Sequence, residues 1–271
     1  MSDAMPFSPT SDDSGIRGHD GDEPNEKDVW PVYSGKSFDI WRPDTGDYYD
    51  SANASSVVAH LQEKRRRQHR VLSSAFAEMG AETMNLPSTL PCLHPRIAFR
   101  DVTNPTNTRT LIAALVPRHR VVTHKAPYLL RIRGEALDEA FVLGVLSSMV
   151  FDWQSRRTVE LNMTFEQIGL LTIPDPGAGH PVRDRSAAIA ARLAACDDRF
   201  TDWASEVGVP VGSANDEAVK QDLICELDAC VAHLYGLDEA DLAVIYETFS
   251  ETVDYSDRHA AVLAHLRRIT G

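Results

Sequence analysis

The spacing of apolar and polar side chains changes several times along the chain, and each change marks a different kind of element. Residues 1 to 28 hold almost no large apolar groups and are rich in Asp, Ser, Gly and Pro. Such a stretch buries too little surface to offset the entropy of ordering it, so disorder is expected there. Order is predicted to begin at Val29-Trp30-Pro31-Val32-Tyr33. Val32, Ser34, Lys36, Phe38 and Ile40 then give a loose strand pattern, closed by the turn-like Arg42-Pro43-Asp44-Thr45-Gly46. From Val58 to Met79 there is no Pro or Gly, and Leu61, Val71, Leu72, Ala75 and Met79 supply apolar positions for a helix. The middle of that stretch, Lys64 to Arg70, is too charged to face a core. It is expected to display a basic surface or to be poorly ordered.

The period then shortens to two. Arg96 to Val102 alternates as a strand, and Arg109 to Val116 follows across the turn residues Thr103 to Thr108, which predicts a hairpin. Tyr128 to Arg133 reads as a third strand, with Arg96, Arg100, Arg131 and Arg133 on the polar faces. A helical period returns from Leu137 to Arg156 through Phe141, Val145, Leu146, Met149 and Trp153. Leu161 to Pro174 is mixed, and Pro174-Asp175-Pro176-Gly177-Ala178-Gly179 is a clear break. Helices are predicted after it over Arg183–Trp203, Ala214–Tyr235 (with Gly236 as its stop), Asp238–Phe249 and Asp257–Ile269. The expected class is α+β: a disordered acidic segment over 1–28, a β-containing domain over 29–176, and an antiparallel helical domain over 181–271. No internal repeat is visible.

With 43% apolar and 25% charged residues among 271, the composition is that of a globular chain with a real core. The longest apolar stretch, Ala140 to Phe151, is interrupted by Gly144, Ser147 and Ser148 and falls short of the roughly 20 residues a membrane span needs. No membrane partner is expected. The N-terminus lacks a basic segment followed by an apolar one, so no secretion signal is expected. Cys92, Cys196, Cys225 and Cys230 are then expected to be reduced thiols in the cytoplasm. They form no CxxC pair, and no metal site is expected.

Charge changes the picture more. Between Val58 and Glu135 lie 13 Lys and Arg against 5 acids, a net of +8, whereas the rest of this −13 chain carries −21. An acidic body with one basic segment repels a polyanion from most approaches and admits it on one. Duplex DNA is the partner this suggests; the plainer reading is a solvated charged helix and ordinary strand-end arginines. His60, His69, His94, His119 and His124 lie in the same segment and would add to its field when protonated. Catalytic signatures are absent: there is no Gly-rich phosphate loop, no GxSxG and no HExxH. Pro43-Asp44 with Glu63-Lys64 does not have the spacing of a metal-dependent nuclease, because Glu and Lys are adjacent. Asn104-Pro105-Thr106-Asn107 lacks the second Pro and the aromatic that would hold a flipped adenine, and reads as a turn.

Five phrases, Val32–Phe38, Arg96–Val102, Arg109–Pro117, Leu143–Asp152 and Glu226–Leu237, occur in an order that resembles the C-terminal part of large adenine-specific DNA methyltransferases of the Eco57I and PglX types. Those enzymes occur as fused restriction–modification proteins and in phage-exclusion systems. The resemblance implies a target-recognition domain with a helical tail, which reads DNA while an upstream domain transfers the methyl group. The S-adenosylmethionine pocket, the Asn-Pro-Pro-aromatic motif and any nuclease domain are missing from this sequence. It is therefore expected to be non-catalytic alone, a split subunit or fragment, with S-adenosylmethionine held by a partner methyltransferase or restriction subunit. A complete adenine methyltransferase or nuclease component, and a protein-interaction scaffold, are the alternatives.

The residues expected to contact DNA are Lys36, Arg65, Arg66, Arg67, Arg70, Arg100, Asn104, Asn107, Arg109, Arg118, His119, Arg120 and Lys125. Guanidinium groups of the Lys64–Arg70 run would meet phosphates, while the loop residues, His124 included, would reach base edges. Tyr33 and Trp41 are expected in the core.

Overall fold

The computed structural model describes residues 28–249 and 253–271. The disorder expected for 1–28 lies outside the described residues, apart from Asp28. The chain opens with β1 (Val29–Tyr33) and returns antiparallel as β2 (Asp50–Asn53), which runs straight into α1 (Ala54–Gln68). Asn53 makes that junction: its side chain accepts a hydrogen bond from the Ser56 amide and caps the helix. The expected helix over Val58–Met79 thus starts earlier and stops at Gln68. Beyond it the chain folds back, because the Val71 amide bonds the Gln68 carbonyl and His69 Nδ1 lies 2.8 Å from the carbonyl oxygen of Phe76. The expected strand through Ile40 ends at Tyr33, where the Ser37 amide bonds the Ser34 carbonyl and turns the backbone.

Next come the short α2 (Ala81–Asn85), the hairpin strands β3 (Arg96–Phe99) and β4 (Ala113–Val116), and the two-residue β5 (Val121–Val122). β1 lies between β2 and β5, antiparallel to the first and parallel to the second. Pro31 is tolerated inside β1 because β5 reaches only Val32 and Tyr33, leaving no ladder bond on that side for it to lose. β3 and β4 pair antiparallel with Arg96 opposite Val116 and Phe99 opposite Ala113, as the alternation predicts. The ladder is shorter than expected, since both the Thr110 and Leu111 amides bond the Asp152 carboxylate instead. Tyr128–Arg133 is not a third strand. Pro127 precedes it, and it keeps one bridge, Ala98 to Tyr128, and one bond from the Leu129 amide to Ile97.

Helices complete the chain: α3 (Ala136–Ser147), α4 (Met149–Thr158), α5 (Phe165–Leu170), α6 (Pro181–Ala194), α7 (Thr201–Val207), α8 (Glu217–Leu234), α9 (Glu239–Phe249) and α10 (Ser256–Thr270). The class is α+β, as the pattern indicated. The helix expected over Leu137–Arg156 is broken at Ser148, whose backbone is extended and whose hydroxyl accepts from the Phe151 amide to cap α4. Arg183–Trp203 also breaks, where Asp197 accepts from the Arg199 amide and starts a new turn. Gly236, at φ +71°, ends α8 as predicted.

The period of two sends alternate residues of β3 and β4 to opposite faces, but neither face is the solvated polar one expected from Arg96, because both are covered. Ile97, Phe99, Ala113 and Leu115 join the large core built by the helices, including Phe151, Leu193, Leu227 and Val231. Ala98, Ala114 and Val116 on the other face pack with Tyr33, Phe38 and Ala126. A smaller core, Trp30, Val32, Ala52, Val57, Leu90 and Val121, seats α1 on the first sheet. Tyr33 and Trp41 are both core residues, as expected. All four cysteines are free thiols.

Candidate nucleic-acid interface

The cations of the basic segment do not form one face. Arg65 is 1% exposed although it sits in the middle of the charged run, which corrects the expectation that no face of that run could be core. Its guanidinium donates to Gln62, Thr89 and the carbonyls of Met84 and Leu86, tying α1 to the segment after α2. Arg96 is also buried, donates to the Arg120 carbonyl at 2.7 Å and lies 5.0 Å over the Tyr128 ring. Burial pushes the pKa of both groups down, although arginine remains charged. Arg120 is buried as well and donates to the Tyr33 hydroxyl and the His119 carbonyl.

A second set clamps one element to another. Arg100 donates to the Phe38 carbonyl and pairs with Asp39 at 3.2 Å. Arg109 donates to the carbonyls of Ser147 and Ser148 at the α3–α4 break and lies 3.3 Å from Asp152. Arg118 pairs with Asp202, Lys125 with Asp101, Arg131 with Glu206 and Arg133 with Glu78. His119 adopts φ 60° and stacks on Trp30 at 4.9 Å.

What is left over gathers at the end of α1. Arg66, Arg67 and Arg70 are exposed; Arg67 stands 3.9 Å from Glu63, whereas the Arg66 and Arg70 guanidiniums have no ion-pair or hydrogen-bond partner among the described residues. With His69, Ala81, Met84 and Asn85 these two arginines line an open cleft of about 200 Å³ between α1 and α2. Lys64 to Arg70 brings the cations together in sequence, and the bonds from Arg65 to Met84 and Leu86 bring the second wall against them. Asn85 had no signature in the sequence, because α2 carries no capping or charge motif that distinguishes it. Two unpartnered guanidiniums at an open cleft suit an oxyanion, since each offers bidentate donors, while the Asn85 amide on the other wall already donates to the Ala81 carbonyl.

Two loop groups lie elsewhere in the fold. The Ser34–Ser37 turn and the Thr123–Ala126 turn follow the parallel strands β1 and β5 and touch. A Cβ on Gly35 would stand 3.1 Å from the Lys125 carbonyl and 3.5 Å from Arg100 Cγ. This places Lys36, Arg100 and Lys125 in one cluster, with the Lys36 ammonium exposed. In the hairpin loop the Asn104 side chain accepts from the Thr106 amide and hydroxyl, the turn its sequence predicts, while Asn107 is exposed and its carbonyl accepts from Arg156. Among the described residues there is no group of three or more His, Cys, Asp or Glu that could hold a metal ion. No helix of the described residues is long and apolar enough to cross a membrane.

No family model matches the chain, and no curated protein matches it. Among solved structures it has a distant likeness to the type IIL restriction–modification enzyme MmeI in complex with DNA, with a TM-score of 0.39 and 13% identity over 82% of this chain. The chain spans 31% of that enzyme's length.

Proposed function

We propose that this chain is a DNA-contacting recognition module of a restriction–modification or phage-defence methyltransferase system, with the methyl transfer performed by another domain or polypeptide that binds S-adenosylmethionine. The observation that carries the reading is the pair Arg66 and Arg70. In a segment where nearly every other arginine is committed to an internal acceptor, these two remain unpartnered and open onto a cleft. Arg100, Arg109, Arg118, Lys125, Arg131 and Arg133 are ion-paired and Arg65 and Arg96 are buried, so attraction to a polyanion is focused on the exposed arginines at the end of α1. Phosphate contacts there would position the duplex, and Lys36, His124 and Asn107, on exposed loops, are the side chains free to reach base edges, whereas Lys125 would first have to leave Asp101. Arg65, Arg109 and Arg120 act by holding the scaffold. The assignment of these exposed residues to DNA belongs to the same proposal; a division of roles after residue 176 would be one within a shared core, since Ile97, Phe99 and Phe151 pack with Leu193 and Leu227.

The test is fluorescence anisotropy of the full chain with a random-sequence duplex at low and moderate salt. Binding at low salt that fades steeply as salt rises, and that is lost on reversing Arg66, Arg67 and Arg70 to Glu, is the expected result. Absence of binding at low salt, or binding indifferent to the three reversals, overturns the reading.

A protein partner is the second reading, favoured by one observation. Val102, Leu161, Phe165 and Leu170 are exposed on neighbouring stretches, joined by the Val102–Asn162 bridge and by the contact of Phe165 with Phe99. A chain that bound protein but no DNA would keep its partner when the three arginines are reversed.

A further inference from the structure

Two residues beyond Arg70 the chain holds a leucine in an unusual position. Leu72 is 98% exposed, the most exposed large apolar side chain among the described residues. It sits at the tip of a tight turn in which the Ser74 amide donates to the Val71 carbonyl at 2.9 Å. The turn is braced on both sides. The Val71 amide is tied to Gln68 at the end of α1, and beyond the turn Ser74 Oγ accepts from the Phe76 amide while the Phe76 carbonyl bonds His69. Leu72 is thus presented outward by a held backbone.

We propose that Leu72 is an apolar wedge that enters a base step of duplex DNA when Arg66 and Arg70 seat the adjacent phosphate. This deepens the DNA reading above and rests on it. Charge complementarity selects the occupant. From Lys64 to Ala77 the chain has five Lys and Arg and no acid, so whatever covers Leu72 lies two residues along the chain from the unpartnered Arg70 and enters a positive field. A duplex satisfies both needs at once: its phosphates meet the arginines, and the space between partly unstacked base pairs accepts an aliphatic side chain. An apolar protein groove would meet only the second need.

The experiment uses short duplexes in which adenines at several positions are replaced by 2-aminopurine, whose fluorescence is quenched by stacking. Wild-type protein is expected to raise the fluorescence on binding. L72A should keep its melting temperature, bind about tenfold more weakly, and give no rise; L72F should restore the rise. R66E/R70E should abolish both binding and signal. Wild-type binding with no rise at any position, or a full rise with L72A, overturns the wedge while leaving DNA binding intact. No binding of any duplex by the wild type removes the DNA reading itself, and the wedge with it.

Discussion

Arg199 Nη1 donates to Asp44 Oδ2 at 2.8 Å across 155 residues of sequence, joining the loop after β1 to the turn before α7. Asp44 also accepts from Tyr48 and the Gly46 amide and lies 3.8 Å from Arg120, while Arg199 is bound by Asp197 on its other side. Burial alone would raise the Asp44 carboxyl, but hydrogen bonds from Tyr33, Gly46, Arg199 and Tyr48 outweigh it and hold it below its ordinary value. The Arg199 hydrogen bonds do the same for Asp197 against a smaller opposing effect of burial. Both folded values are depressed, so the stability they contribute is complete above the unfolded value of about 3.9 and is lost as pH falls through the folded ones. Thermal melts should therefore show a loss of stability below about pH 4. D44N should cost about 1–3 kcal/mol at neutral pH and make the acid loss shallower.

Neighbouring arginines in and just after α1 should behave oppositely. R65A removes donors from two carbonyls and two side chains in a buried site, and should cost about 2–4 kcal/mol in urea denaturation. R66A and R70A should change stability by no more than about 0.5 kcal/mol. Equal effects at the three positions would show that Arg65 is not the anchor its burial implies.

The same two exposed positions give a quantitative DNA prediction. Plotted as the logarithm of the association constant against that of salt concentration, the slope should become shallower by about 0.9 for each phosphate that is no longer neutralised, hence by roughly 1.8 for R66A/R70A. A slope unchanged by the double substitution would mean that other cations meet the phosphates.

How much of this was legible in the sequence depends on what fixes each feature. The β3–β4 pairing, the Asn104 turn and the Gly236 stop follow from local pattern and were readable. The break at Ser148 was not, because the apolar period runs on through it while a distant carboxylate, Asp228, accepts from the Met149 amide. The candidate interface was half legible. Net charge located the segment that holds the unpartnered guanidiniums, but a guanidinium bound for the interior and one bound for solvent look alike in sequence. Arg65 and Arg66 are separated only by helix phase, and the acceptors that claim Arg65 lie some twenty residues downstream.

Asp228 itself should be sensitive to substitution. It is 1% exposed and accepts from the Met149 amide, the Tyr246 hydroxyl and the Arg258 guanidinium, so it joins α4, α9 and α10 to α8. D228A leaves a largely buried cation without its partner and should destabilise by about 3–5 kcal/mol. A chemical-denaturation midpoint within error of wild type would refute that role.

Gly144 reports on how closely three helices approach. A Cβ there would lie 3.1 Å from Ala190 Cβ and 3.2 Å from Leu227 Cδ1. Alanine gains up to about 1 kcal/mol of helix propensity, but overpacking costs about 1–3 kcal/mol. G144A should lower the melting temperature, and a raised one would mean that α6 and α8 yield freely.

The parallel pairing of β1 with β5 carries a consequence for biosynthesis. Val32 finds its partner only when Val121 has been made, and a parallel neighbour cannot be supplied by a nearby turn. At 5–20 residues per second the open side of β1 waits on the order of 5–20 s during translation. Throughout that interval its backbone is a template for strands of other nascent chains, so aggregation in cells should respond to slowed elongation between the codons for Tyr33 and Val121 far more than to slowing after Val122.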